Sequence, residues 1–243
     1  MAGPLTPFIH FINPLNWHWK DVIYGADVHK SMAIHCIKDQ SFESNIYLVT
    51  GDRPVLIDTG TGRMIGPIMS RLRELVDIST LDRIVLTHRH YDHVGGARDL
   101  SDRLEAKVFM HEADSEPVRN GDDQGTLANE FLDSVEPLDV IDVREGEVIS
   151  TGEHDLRVIH TPGHTIGSIC LFDDSNRALI SGDTLFVGSV GRWDLPTGDI
   201  RLLKSSLLRL KDLGAESLYP GHGPFVEDGA KHQIEIGLRY LGV

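Results

Sequence analysis

Three histidines and an aspartate stand within six residues of one another in the segment THRHYDHVGG, positions 87–96. They are His88, His90, Asp92 and His93. The segment follows a short apolar run at 83–87, which is typical of a buried strand, and precedes a predicted helix. A loop at the end of a strand can direct several side chains to one point. Imidazole and carboxylate groups are ligands of divalent transition metals, above all zinc, so the segment predicts a metal site.

Three further candidate ligands stand at the ends of other predicted strands. His164 follows the strand predicted at 155–160, Asp183 follows 178–181, and His222 follows 217–219. Each has a glycine beside it, which permits the tight turn that brings the backbone close to a metal. A single Pro-Gly-His sequence is usually a turn, but four strand ends that all carry His or Asp together predict one shared site.

Short apolar runs bounded by Gly, Pro and Asp alternate with stretches of helical spacing along the chain. Strands are predicted at 45–50, 54–57, 83–87, 107–111, 155–160, 168–172, 178–181 and 217–219, and helices at 64–76, 96–104, 199–213 and 231–241. This interleaving predicts an α/β fold with sheets inside and helices outside. We see no linker, so we expect one domain over 1–243, with residues 1–40 as an N-terminal arm packed on it.

The composition excludes several classes of partner. The chain has 23 basic and 37 acidic residues and a formal net charge of −14, so it has no general attraction for nucleic acids or anionic membranes. No apolar run approaches the roughly 18–20 residues that a membrane span needs. Two cysteines, Cys36 and Cys170, cannot build a disulfide framework and favour a cytoplasmic location. We expect a small-molecule substrate, and a homodimer is left open.

The order of these motifs resembles that of the metallo-β-lactamase superfamily. The match covers residues 45–223 and runs from Ile57-Asp58-Thr59-Gly60 through the histidine segment and His164 to Asp183 and His222. The resemblance implies an αβ/βα sandwich of two mixed β-sheets flanked by helices, with the metals at one edge.

The resemblance also implies roles for individual residues. His88, His90 and His164 would hold a first metal, Asp92, His93 and His222 a second, and Asp183 would bridge the two. Asp58 would be a buried structural carboxylate and not a ligand. Two Zn²⁺ per chain are expected, with iron as the alternative. A hydroxide held between two such ions attacks activated carbonyls, and Asp92 could orient it or accept its proton.

The segment GDTLFVGSVGRWDLPTGD, residues 182–199, resembles the glyoxalase II-like branch of the superfamily. This favours a metal-dependent hydrolase of a small thioester, such as an acylated glutathione. An iron-dependent persulfide dioxygenase is the main alternative, because its single iron would use the equivalents of His88, His164 and Asp183. A promiscuous lactonase or β-lactamase and a non-catalytic metal-binding protein also stay open.

Four residues are candidates for substrate binding. Tyr91 lies between ligands and could donate a hydrogen bond, although simple packing would also explain it. Arg192 lies just beyond a ligand loop and could bind an anionic group, or it could form an ion pair with Asp194 or Asp199. Trp17 and Trp19 could wall an apolar pocket.

Overall fold

Two mixed β-sheets flanked by α-helices make up residues 34–37 and 43–243, the part of the chain that the computed structural model describes. The strands are β1 (Ile34–Cys36), β2 (Tyr47–Val49), β3 (Val55–Ile57), β4 (Arg83–Leu86), β5 (Lys107–His111), β6 (Val140–Val143), β7 (Val148–Ser150), β8 (Asp155–His160), β9 (Ile169–Asp173), β10 (Ala178–Gly182), β11 (Leu185–Phe186), β12 (Ser189–Val190) and β13 (Ser217–Pro220). The α-helices are α1 (Ile65–Leu75), α2 (Tyr91–Val94), α3 (Ala97–Leu104), α4 (Glu112–Asn120), α5 (Ile200–Leu213) and α6 (Ala230–Tyr240).

The first sheet has the order β1-β2-β3-β4-β5-β6, and the second has the order β13-β10-β9-β8-β7. Strands β3 to β6 run parallel, whereas β1 and β2 add an antiparallel edge. In the second sheet only β10 and β13 are parallel. β11 and β12 form a separate hairpin. This topology confirms the α/β sandwich with two mixed sheets.

Each sheet packs its outer face on its own pair of helices. Leu56 and Ile84 of the first sheet belong to one core with Leu72 of α1 and Leu100 of α3, and all four are completely buried. The corresponding core of the second sheet joins strands β9 and β10 to helices α5 and α6. Strands β3 and β4 are buried on both faces, which explains their continuous apolar sequence.

Helix α5 shows how local sequence sets an element. The Asp199 carboxylate caps its start by accepting hydrogen bonds from the backbone N–H groups of Arg201 at 2.7 Å and Leu202 at 3.4 Å. The predicted stripe of leucines, Leu203, Leu207 and Leu210, is buried against the second sheet. Gly214 ends the helix with φ of +66°, a conformation that glycine adopts without strain.

All the predicted strands and helices are present, with ends that differ by at most two residues. The elements that sequence patterns missed are short or atypical. Edge strands β6 and β7 carry exposed side chains at alternate or adjacent positions, and α4 contains Pro117, which argues against a helix. The ligand segment itself contains the short helix α2.

The predicted N-terminal arm, residues 1–40, lies outside the described residues except for 34–37, and so do Trp17 and Trp19. Residues 34–37 and 43–243 all belong to one compact unit. No helix among them is long and apolar enough to cross a membrane. The arm and the single-domain organisation of the whole chain stay predictions.

Candidate metal centre

The loops that follow the carboxyl ends of β4, β8, β10 and β13 meet at one edge of the two sheets. A backbone hydrogen bond of 2.9 Å from the Ile169 N–H to the Thr87 carbonyl joins the end of β4 to the start of β9 there. The loops bring together all seven side chains that the sequence predicts as ligands: His88, His90, Asp92, His93, His164, Asp183 and His222.

The first triad consists of His88, His90 and His164, whose ligand atoms lie within 4.8 Å of one another. The closest pair is Nδ1 of His90 and Nε2 of His164, at 2.9 Å. All three side chains are buried. Because three imidazole nitrogens converge on one point, the triad has the composition of a zinc or iron site.

The second triad consists of Asp92, His93 and His222, with the same limit of 4.8 Å. Nε2 of His222 lies 3.0 Å from Oδ2 of Asp92 and 3.3 Å from Nε2 of His93. Helix α2 places Asp92 and His93 next to each other, and the loop after β13 supplies the third side chain.

Asp183 lies between the two triads. Its Oδ2 is 3.5 Å from Nε2 of His164 and 3.5 Å from Nε2 of His222, and its Oδ1 is 3.3 Å from Nε2 of His93. The side chain is therefore within reach of ions at both positions. A Cβ on Gly221 would overlap Oδ1 of Asp183, so only glycine allows the loop after β13 to approach this closely.

Asp58 determines which nitrogen of His93 and of His88 is available. The carboxylate accepts hydrogen bonds from Nδ1 of His93 and from the Thr87 hydroxyl, both at 2.8 Å. The Thr87 hydroxyl gives its only proton to Asp58, so it must accept from Nδ1 of His88, 3.1 Å away. Both histidines therefore keep the Nε2 lone pair for the centre. Asp58 itself is buried and absent from the ligand groups.

His164 is oriented by a backbone group. Its Nδ1 lies 2.7 Å from the carbonyl oxygen of Arg192, to which it donates. The lone pair on Nε2 consequently points into the centre. Partners of this kind fix the tautomer of a metal-binding histidine and increase its basicity.

Burial and neighbouring charges shift the pKa values of the clustered side chains. Burial lowers the pKa of His88 and His90 well below the ordinary value, and neighbouring imidazoles lower it further. Burial alone would raise the pKa of Asp92, but His93 and His222 outweigh it and hold that pKa at about 2. The same two histidines hold the pKa of Asp183 well below its usual range, against the effect of burial. Burial also acts to lower the pKa of His93 and His222, but Asp183 outweighs it and raises the pKa of both. The carboxylates of the cluster are therefore ionised and attract positive charge, which suits a cation.

Two predicted substrate contacts have protein partners. Tyr91 is buried against Phe131, with ring centroids 5.4 Å apart. Burial and a hydrogen bond to Asp133 raise the pKa of its phenol. Arg192 forms two hydrogen bonds to Asp194, at 2.9 and 2.8 Å. The substrate-binding roles of Tyr91 and Arg192 stay predictions.

A buried carboxylate that no motif indicated links two of the ligand loops. Asp114 is completely buried and accepts from the Arg89 N–H at 3.1 Å, the Thr165 hydroxyl at 2.6 Å and the Gly167 N–H at 2.9 Å. Arg89 stands between His88 and His90, and Thr165 follows His164. Asp114 therefore ties together the loops that carry the first triad. No local pattern marks it, because its partners are distant in sequence.

The centre is most open at the second triad. The side chains of Asp92 and His222 are 17% and 15% exposed, whereas those of His88 and His93 are completely buried. The ring of Phe186 lies edge-on to His222, with centroids 6.0 Å apart. The centre is therefore exposed to solvent at Asp92 and His222, beside an aromatic side chain.

The chain is similar to several known proteins. A probable metallo-hydrolase of Methanocaldococcus jannaschii is 35% identical over 187 residues, which cover 75% of this chain and 88% of the relative. The acyl-coenzyme A thioesterase MBLAC2 of Bos taurus is 32% identical over 250 residues, covering 88% and 86%. The structure of TTHA1623 in a di-iron-bound form superposes with a TM-score of 0.67 at 33% identity, covering 83% of this chain and 96% of that protein.

The family model of the metallo-β-lactamase superfamily matches residues 41–222, which include all seven clustered side chains. Since the match extends over most of the chain and agrees with the fold and with the order of the motifs, the protein belongs to the metallo-β-lactamase superfamily.

Proposed function

We propose that the protein is a thioester hydrolase with a binuclear metal centre. His88, His90 and His164 would hold one ion, and Asp92, His93 and His222 would hold the other. The observation that carries the proposal is the position of Asp183, whose Oδ2 lies 3.5 Å from a ligand nitrogen of each triad. A carboxylate in that place would be available to an ion at either triad.

The residues fit such ions. Nε2 of His88 is buried and has no hydrogen-bond partner, although Thr87 leaves it as a lone pair. Oδ1 of Asp183 is likewise buried without a hydrogen-bond donor. Leaving such atoms unpaired is costly unless a cation occupies the space between them. The nitrogen and oxygen donors suit zinc, which we propose, and also iron.

Divalent ions bound at such a site make water nucleophilic at neutral pH and polarise a carbonyl. The protein's own residues orient the attacking water and the clustered histidines, and they leave an opening for the substrate. Asp92, at the open side, accepts a hydrogen bond from the attacking water and orients it. Asp58 and the Arg192 carbonyl keep the Nε2 atoms of His93 and His164 directed inward. Phe186 offers an apolar contact for an acyl group beside His222.

The relatives support thioesters as the substrate class. Acyl-coenzyme A thioesterases are 31–32% identical to this chain over 88% of its length. Acyl-coenzyme A is therefore the first carrier to test, and acylglutathione, which the 182–199 segment favours, is the second. A cytoplasmic location is part of the proposal, and a homodimer stays open.

The test is release of free thiol from acyl-coenzyme A and acylglutathione thioesters by the zinc-loaded protein, followed with a thiol reagent. We expect turnover that a chelator abolishes and that His90→Ala and Asp183→Ala each reduce by at least about a thousandfold, or ~4 kcal/mol of transition-state stabilisation. The exposed His232 of α6 provides a matched control, and His232→Ala should keep full activity.

Two results would overturn the proposal. One is absence of thiol release from every thioester by protein that holds zinc. The other is oxygen consumption with glutathione persulfide by iron-loaded protein that leaves thioesters intact, which would establish the dioxygenase. Turnover of lactones alone would assign the centre to a different carbonyl substrate.

A further inference from the structure

The loop that carries His222 is held by hydrogen bonds from one buried asparagine. Asn45, just before β2, is 1% exposed. Its backbone N–H donates to the Gly221 carbonyl at 2.6 Å, and its side-chain Nδ2 donates to the carbonyls of Pro220 and Gly223, both at 2.9 Å. Three of the four carbonyls in Pro220–Gly223 thus accept hydrogen bonds from a single residue about 175 positions earlier.

Tyr47 strengthens the same contact. Its hydroxyl donates to the Pro220 carbonyl at 2.7 Å and lies 3.2 Å from Nδ2 of Asn45. The ring is 1% exposed and packs edge-on against Tyr219 of β13, with centroids 5.7 Å apart. Both side chains are buried, so solvent does not compete for these hydrogen bonds.

The opposite side of the loop faces the metal centre. The Gly221 N–H donates to the Gly182 carbonyl at 2.7 Å, directly before Asp183. The loop is therefore held between Asn45 on one side and the chain at Asp183 on the other. His222 projects from this short clamped segment to within 3.0 Å of Asp92.

We propose that Asn45 is a positioning residue for His222 and thereby sets the metal affinity of the second triad. The inference rests on the binuclear centre proposed above. The first triad depends on different contacts, since Asp114 links the loops of His88, His90 and His164. Loss of Asn45 should consequently weaken one metal position and leave the other unchanged, whereas a residue that serves the fold alone would weaken both or neither.

The test is a competition between the zinc-loaded full-length protein and a chromophoric chelator, which reports the affinity of each bound ion. We expect Asn45→Ala to release one zinc at about 10- to 100-fold weaker affinity and to retain the other as the wild type does. Asn176→Ala is the matched control. The Asn176 amide also donates a hydrogen bond to a side chain, that of Asp173 at 2.7 Å. Asn176 lies in the turn before β10, at the opposite end of that strand from Asp183, so the affinities for both zinc ions should stay unchanged.

Combining Asn45→Ala with a second substitution, His222→Ala, identifies which zinc ion is weakened. His222→Ala should already lack the weaker zinc, and Asn45→Ala added to it should leave the remaining affinity unchanged. A further loss from the remaining ion would overturn the proposal, because Asn45 would then act on the first triad or on the whole fold.

Tyr47→Phe keeps the volume of the ring and decides the question if Asn45→Ala does not fold. Removal of one hydrogen bond to Pro220 should weaken the same zinc about fivefold. Two zinc ions held as tightly as in the wild type by Asn45→Ala, or by Tyr47→Phe where only that variant folds, would overturn the role of Asn45 and leave the proposed function intact. A wild type that binds a single zinc would overturn both.

Discussion

Oδ2 of Asp58 lies 2.8 Å from Nδ1 of His93. Asp58 is not among the clustered side chains, but it orients a histidine that is. Through the Thr87 hydroxyl the same carboxylate also governs His88. Since His88 belongs to the first triad and His93 to the second, a single side chain orients one histidine of each. Asp58 holds this position with φ of +59°, unusual for a residue other than glycine.

Replacement of Asp58 by asparagine should weaken both metal positions. Asn keeps the shape but loses the charge, and its amide nitrogen donates, so it cannot replace an oxygen that accepts from Thr87 and His93. We expect about 10- to 100-fold lower zinc affinity at each position, measured by chelator competition. Asp77, an exposed aspartate that also accepts from a backbone N–H and a hydroxyl, supplies the control Asp77→Asn, which should bind zinc normally. Normal affinity in Asp58→Asn would contradict the tautomer argument.

Gly221→Ala should disrupt the centre with little effect on the rest of the fold. The new Cβ would overlap Oδ1 of Asp183 and crowd the ring of His93, so the loop or these two side chains must move, and either movement disturbs the second triad. We expect loss of one zinc per chain, measured by elemental analysis, together with loss of activity. Gly66→Ala in helix α1 meets no atom within 4 Å and should raise stability by about 0.5–1 kcal/mol with both zinc ions retained. Full zinc content in Gly221→Ala would show that the loop tolerates the displacement.

Removal of the metal should lower thermal stability. An ion present at a thousand times its dissociation constant stabilises the folded state by about 4 kcal/mol. For a chain of this length that corresponds to a fall in Tm of about 8–16 °C on treatment with a chelator, measured by calorimetry. Added zinc should restore the original Tm, whereas calcium should not, because nitrogen-rich triads favour transition metals. An unchanged Tm in metal-free protein would argue against ions bound to the folded state.

The buried thiol of Cys170 should make the folded protein less stable in alkali. Burial raises the pKa of its thiol from 9.0 to about 11. Between these values the unfolded chain binds fewer protons than the folded one, so rising pH favours unfolding. The stabilisation is fully present below pH 9 and is lost as the pH rises through 11. The unfolding free energy of the wild type, relative to that of Cys170→Ala, should fall by about 2 kcal/mol between pH 8 and pH 10.5. A difference in unfolding free energy between the two proteins that stays constant over this pH range, measured by denaturant titration, would contradict this expectation.

Much of the centre follows from local sequence. Side chains directly after a buried strand must emerge at its carboxyl end, so apolar runs such as 83–87 were enough to predict where His88 and Asp183 would lie. The ligand chemistry follows from residue type alone. The same local reasoning missed the edge strands β6 and β7, because their exposed side chains interrupt the apolar pattern, and α4, because Pro117 interrupts the helical one.

The sequence by itself therefore determined the superfamily, the succession of strands and helices and the identity of the clustered histidines and aspartates. Only the tertiary structure decided which groups orient them. Asn45 reaches Pro220 across 175 positions, and Asp114 reaches Thr165 across 51. Such hydrogen bonds leave no periodic signal, since they depend on how two distant loops meet once the sheets have packed. The tautomers of His88 and His93 are set in the same way, by a carboxylate that the fold brings to them.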